Sequence, residues 1–269
     1  MAIATKEATQ YVAARNGDEA ERERLRILEE ISDPWTFERM AALGVGPGWR
    51  CLEVGAGGGS VARWLADRTG PTGRVVATDL DPRFLSDLDG VEVRRHDIVT
   101  DELEENAFDV VHCRALLLHI PERRRALERM YAAVAPDGWL FVEDLDVSTI
   151  RAADPTHPEA AEFDRLQRTT IRFFASLGIF DPSNGRRLRS QMAALDLEQI
   201  GQSASTSVLN GGEPAAHFLA LGARMTRELL VSQGVASEAE LDAQIRRMDD
   251  PGFSFTDVVA YRCWGRKPA

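Results

Sequence analysis

Cys51-Leu52-Glu53-Val54-Gly55-Ala56-Gly57-Gly58-Gly59-Ser60 is the stretch that decides the fold. Trp49 to Val54 reads as a strand, and four of the next five residues are glycine. A helical pattern then runs from Ser60 to about Thr69, with Val61, Trp64 and Leu65 on its inner side. Glycines let the backbone approach a bound molecule, and the N-terminus of the following helix supplies free N–H donors. A strand-to-helix turn that binds nothing rarely needs so many glycines.

Downstream of this loop, strands alternate with helices. Arg74 to Thr78, Val91 to Arg95, Phe108 to Cys113 and Trp139 to Glu143 read as strands. Helices are expected at Pro82 to Leu88 and Pro121 to Ala135. Such a rhythm implies a parallel sheet with helices on both faces. It breaks after Asp144. Helices are expected over Pro158–Leu177, Arg186–Leu195, Pro214–Leu230 and Ala236–Met248, with strands at Leu197–Val208 and Phe253–Trp264. Upstream, Ala20 to Ile31 forms one amphipathic helix. Asp33-Pro34 reads as the start of another, with Asp as cap and Pro at the first helical position. The expected organisation is an N-terminal helical segment (1–44), a Rossmann-like core (45–150), a helical cap and substrate region including a sixth strand (151–252), and a final core strand (253–269).

Composition narrows the function. The 269 residues are 44% hydrophobic and 28% charged, ordinary for a chain that buries a core. A net charge of −11 argues against nucleic acid as the main partner, since phosphate binding needs clustered Lys and Arg. Cys51, Cys113 and Cys263 lack metal or redox spacing and are expected to be reduced and buried. No apolar run reaches the ~20 residues of a membrane helix, and Met1 to Gly17 lacks the apolar core of a secretion signal. A cytoplasmic protein is expected, with no metal site and no membrane partner.

Charge selects the ligand of the glycine loop. A phosphate loop would end in Gly-Lys-Ser/Thr, and no lysine is near. A dinucleotide loop would carry glycine where Ser60 stands. Glu53, two residues before the first glycine, would repel a pyrophosphate but attract a cation. S-adenosylmethionine is such a ligand, with an α-ammonium, a sulfonium and no phosphate. Asp79, at the end of the second strand, is placed to accept ribose hydroxyls. Asp97, after the third strand, could accept the adenine amine.

Leu52-Glu53-Val54-Gly55-Ala56-Gly57-Gly58-Gly59 closely resembles motif I of the class I S-adenosylmethionine-dependent methyltransferases. Asp79, His96-Asp97-Ile98, Phe108-Asp109-Val110-Val111, His119-Ile120-Pro121 and Ala135-Pro136-Asp137-Gly138-Trp139 resemble that family's later motifs in order and spacing. The nearest flavour is the group acting on ubiquinone- and menaquinone-type precursors and small natural products. The resemblance implies a seven-stranded, mostly parallel sheet whose last strand is antiparallel. It implies cofactor contacts at Glu53, Gly55, Ala56, Gly57, Asp79, Leu80, Asp97 and Ile98, with a main-chain contact near Arg114. It also implies an N-terminal helix closing over the cofactor, with Tyr11 near the sulfonium. That helix could instead mediate a homodimer.

The expected function is methylation of a small organic acceptor, with oxygen as the favoured nucleophile and nitrogen and carbon acceptors left open. Aromatic residues of the cap, among them Phe163, Phe173, Phe174, Phe180 and Phe218, suit a flat acceptor. Where a general base is needed, His119, His217 and Asp144 lead the candidates, with His157 and Glu143 behind them. The alternatives are an NAD(P)-dependent oxidoreductase and a protein that binds S-adenosylmethionine without transferring methyl.

Overall fold

Residues 18–269 are described in a computed structural model. In chain order they form α1 (Asp18–Ala42), β1 (Arg50–Val54), α2 (Ser60–Thr69), β2 (Arg74–Asp79), β3 (Val91–Arg95), β4 (Phe108–Arg114), α3 (Arg123–Ala133) and β5 (Val134–Asp146). There follow β6 (Arg151–Ala152), α4 (Ala160–Ser176), α5 (Leu188–Met192), β7 (Glu198–Ser205), β8 (Val208–Asn210), α6 (Pro214–Ser232), α7 (Glu238–Asp249), β9 (Ser254–Thr256) and β10 (Val259–Arg266). Among them no helix is long and apolar enough to cross a membrane. The chain divides into two units.

The sheet unit comprises Ser32–Leu145, Asn184–Ala204 and Ala260–Ala269. Its sheet has, among the described residues, seven strands in the order β3-β2-β1-β4-β5-β10-β7. The pairs β1–β2, β1–β4, β2–β3 and β4–β5 are parallel. Asp137 N–H donates to Lys267 O (3.1 Å) and Lys267 N–H to Gly138 O (2.9 Å). The start of β5 therefore meets the end of β10, which makes β10 antiparallel to it.

Alternation along each strand sorts the core onto two faces. Leu52, Val76, Val111, Leu140 and Cys263 pack with Leu127 and Met130 of α3 and Leu188 and Met192 of α5. Their neighbours Cys51, Val75, Val110, Phe141 and Trp264 pack on the opposite face, with Met40 of α1 and Val61 and Leu65 of α2. Cys51, Cys113 and Cys263 are free and buried.

The helical unit comprises Asp146–Ser183, Ser205–Val259 and, of the described chain, residues 18–31. It holds a second sheet, β6-β9-β8, paired antiparallel. Phe163, Ala216, Ala220, Met248, Phe253 and Phe255 form one core of this unit. Leu166, Phe174, Leu230 and Leu241 form another. A capping box, Ser237 with Glu240, starts α7.

Four local expectations are corrected. Asp33-Pro34 does not start a helix, because α1 runs through with Pro34 inside it. Pro34 forgoes one backbone hydrogen bond, and the Asp33 carboxylate is engaged by Arg114 and Ser60 rather than by a cap. The expected strand Phe253–Trp264 is two strands of different sheets, β9 and β10, divided at Asp257-Val258. The expected strand Leu197–Val208 likewise divides into β7 and β8. After β2 the chain makes only a 3-10 turn, Pro82–Phe84, in place of the expected helix.

Candidate active site

Reversal of the strand order between β1 and β4 opens a crevice at the carboxyl ends of a parallel sheet, where such folds bind ligands. The glycine loop after β1 lies there. Gly55, Gly57 and Gly59 have φ of 73°, 56° and 87°, the left-handed region that glycine enters without penalty. Gly55 N–H and Ala56 N–H both donate to Thr78 O, at 2.8 and 3.0 Å, which fixes the loop on β2. A Cβ on Gly55 would lie 2.9 Å from Leu116 Cδ1. Leu116 belongs to the turn after β4, whose Ala115 also has positive φ, 50°.

Asp79 closes the loop from the β2 side. Its Oδ2 accepts from Gly57 N–H and its Oδ1 from Asp81 N–H, both at 2.9 Å. Burial holds its carboxyl above the ordinary range, against the lowering effect of these N–H donors. The backbone of Leu80 also bonds this carboxylate, which retains acceptor capacity for a hydroxyl. Leu80 beside it is 60% exposed, an apolar side chain presented to solvent. Asp97 is half-buried and accepts from Val99 N–H at 2.8 Å, whereas the Ile98 side chain is buried in the core.

Glu53, His112, Glu143 and Arg262 stand on adjacent strands β1, β4, β5 and β10, all on the face covered by α1 and α2. His112 is in register with Glu53. Its Nδ1 lies 2.6 Å from Glu53 Oε2 and its Nε2 3.1 Å from Glu143 Oε1. Arg262 Nε is 3.0 Å from Glu143 Oε2. Burial disfavours the imidazolium, but Glu53 and Glu143 outweigh it and raise His112 to about 9. The ring is therefore charged at neutral pH and donates from both nitrogens. Burial pushes the Glu53 carboxyl up, and His112 and Arg114 oppose that. For Glu143 burial is likewise the largest influence, but its bond to His112 helps to bring the net shift below the ordinary value.

The base candidates fall in different surroundings. His119 is half-buried on the 3-10 turn Leu117–His119 of the sheet unit. His217 is exposed on α6 of the helical unit. Asp144 is fully buried, with Oδ2 accepting from Asn184 Nδ2 (2.6 Å) and Oδ1 from Leu145 N–H (2.9 Å). Burial raises it to about 7. His157 Nδ1 accepts from Glu159 N–H (3.2 Å), and its ring sits edge-on to Phe253. Phe163 and Phe174, expected to face an acceptor, are buried in the helical unit's own cores. Tyr11 lies outside the described residues. Reading the sequence missed His112, Thr36 and Arg262. The available signal was a histidine and an arginine at inward positions of otherwise apolar strands.

Residues 52–140 match the family described as the methyltransferase domain. The fold agrees with it. This chain carries a class I, Rossmann-like methyltransferase domain. It is 32% identical over 149 residues to methyltransferase str2 of Strobilurus tenacellus, covering 54% of this chain and 53% of that one. It is 28% identical over 135 residues to a ubiquinone biosynthesis O-methyltransferase of Pseudomonas entomophila, covering 48% and 56%. The chain thus spans about half the length of the curated relatives it matches. Among solved structures, coclaurine N-methyltransferase bound to N-methylheliamine and SAH superposes with a TM-score of 0.58 at 16% identity, covering 99% of this chain and 84% of that one. At that identity the likeness concerns the fold.

S-adenosylmethionine is the cofactor of this class, and the donor set fits it. Two carboxylates, Glu53 and Asp79, flank a glycine loop that carries no lysine. The α2 N-terminus is capped by Gly59, which makes no side-chain bond to it. That leaves helix N–H groups for a carboxylate and acids for an ammonium and a ribose, while Glu53 beside the loop would repel a pyrophosphate.

Proposed function

We propose that this chain transfers a methyl group from S-adenosylmethionine to a small organic acceptor, with an acceptor oxygen as the nucleophile. One observation carries the reading. The buried Glu53 and half-buried Asp79 carboxylates stand on either side of the glycine loop at the sheet's crevice. The names of relatives that act in ubiquinone biosynthesis support a small acceptor and oxygen, as does the net charge of −11.

In this reading Glu53 binds the α-ammonium, and Gly55, Ala56 and Gly57 admit the amino-acid portion against bare backbone. Asp79 takes the ribose hydroxyls, Leu80 covers the adenine, and Asp97 with the Ile98 backbone holds its edge. The main chain at Arg114 completes the set. The bound sulfonium supplies an electrophilic methyl, so the chain's task is chiefly alignment, which can contribute about 7–11 kcal/mol. For an acceptor that must lose a proton, His119 is the proposed base. His217 is the second candidate. Asp144, with both oxygens engaged, is assigned to holding the turn it bonds.

Thermal shift and calorimetry test the reading. S-adenosylhomocysteine should stabilise the protein and NAD should not, and the reverse result would favour an oxidoreductase. Labelled S-adenosylmethionine offered with a panel of phenols and carboxylic acids should yield labelled product. Binding without transfer to any acceptor would favour a non-methylating protein instead.

A further inference from the structure

The buried histidine at the middle of the sheet unit belongs to a continuous circuit of side chains that starts and ends at the two ends of the glycine loop. Starting at the foot of the glycine loop, Glu53 Oε2 accepts from His112 Nδ1 (2.6 Å), and His112 Nε2 donates to Glu143 Oε1 (3.1 Å). That same Glu143 oxygen accepts from Thr36 Oγ1 of α1 at 2.5 Å. Thr36 Oγ1 accepts from Arg114 Nη1 (2.9 Å), which also pairs with Asp33 Oδ1 (2.9 Å). Asp33 Oδ1 finally accepts from Ser60 Oγ at 2.9 Å. Glu53 precedes the loop by two residues and Ser60 follows it directly. The circuit therefore grips both ends of Gly55–Gly59 and carries α1 with it.

The members are buried or nearly so. His112 and Thr36 are 0% exposed, Glu53 2% and Glu143 5%. Glu53, Glu143 and Asp33 balance His112, Arg114 and Arg262 in charge. Buried ion pairs rarely add net stability over apolar packing of the same volume, so so large a set is poorly explained by stability alone. A carboxylate held by a charge-assisted bond is fixed in direction. Orientation of a ligating side chain by an outer partner is how such partners act at other polar sites.

We propose that His112 is a positioning residue for the donor site: clamped between Glu53 and Glu143, it aims the Glu53 carboxylate at the α-ammonium of the donor, with Thr36, Arg114 and Asp33 tying that carboxylate to the far end of the loop. This rests on the proposed cofactor. Its specific consequence is selectivity within the ligand. The amino-acid end of the donor depends on the circuit, and the adenosine end, held by Asp79, does not.

Calorimetric binding of two probes separates the ends. S-adenosylhomocysteine carries the amino-acid portion, and 5′-methylthioadenosine lacks it. His112→Phe should weaken S-adenosylhomocysteine by about ten-fold or more, the worth of one charge-assisted bond, and methylthioadenosine by less than about two-fold. His112→Asn, which keeps a donor for Glu53 but is too short to reach Glu143, should recover part of the loss. Should His112→Phe fail to fold, Thr36→Val opens the circuit at its centre and should give the same selective loss, smaller in size. Equal weakening of both probes, or of neither, in the folded variants overturns the proposal. Wild-type protein that binds neither probe overturns instead the reading of the cofactor.

Discussion

Stability should fall as His112 loses its proton, because Glu53 and Glu143 hold that proton on the folded ring. The groups facing the ring are Glu53 from β1, Glu143 and the Phe141 ring from β5, and, through Glu143, Thr36 of α1 and Arg262 of β10. Below pH 6.5 the imidazole is protonated in the folded and unfolded chains alike, and its contribution is complete. Between 6.5 and about 9 the folded protein keeps the proton that the unfolded chain releases, so stability declines as pH rises. Above about 9 the contribution is gone. At roughly 1.4 kcal/mol per pH unit over that window, it amounts to ~3 kcal/mol. Other groups titrate in the same range, so the comparison is with His112→Gln, which has no proton to lose. Urea unfolding of both proteins in half-unit steps from pH 6 to 10 gives the difference directly. The advantage of wild type over the variant should shrink by ~3 kcal/mol. A difference that stays flat, or grows with pH, would refute the charged clamp.

Further outcomes follow from single residues. Asp144 is raised to about 7 by burial, so the folded state binds the extra proton and its contribution to stability should fall as pH rises from about 4 to 7; the difference between wild type and Asp144→Asn should shrink over that range in the same unfolding series. Gly55→Ala should cost at least about 1–2 kcal/mol from the left-handed backbone alone, and should lower affinity for S-adenosylhomocysteine because Leu116 must move. Gly201→Ala would drive a Cβ to 2.3 Å from the Trp264 ring, and overpacking of about 1–3 kcal/mol should appear in thermal melts with cofactor affinity unchanged. Asp79→Asn should weaken methylthioadenosine and S-adenosylhomocysteine in equal proportion, the opposite signature to His112→Phe.

The parallel half of the sheet was legible because strand, glycine turn and helix recur with local signals. Val54 to Ser60 announces its turn through glycine, whereas Pro136-Asp137-Gly138, expected as a turn before the fifth strand, lies inside β5. The C-terminal strands were not, since Phe253 to Trp264 is a continuous strand pattern and its division at Asp257-Val258 depends on two sheets the pattern does not name. Pro34 misled for a related reason. Local preference favours a helix start there, and the Asp33 carboxylate that would have capped it is taken by Arg114, 81 positions away. Glu53 and Asp79 stand out by position next to the loop. Their partner His112 does not, because one histidine in a strand is informative only once its register with Glu53 and its reach to Glu143 are known.

Strand order also governs the time course of synthesis. β10 lies between β5 and β7 in the sheet, yet both neighbours leave the ribosome before it. The outer edge of β5 must wait through more than a hundred residues with its N–H and C=O groups unpaired, and β7 has no sheet to join. Open edges of this kind template association between chains. Removing the segment that holds β10 would leave that edge permanently open and would strand β7 as well. A nascent chain halted before Val259 should therefore be more prone to aggregate than its length alone suggests.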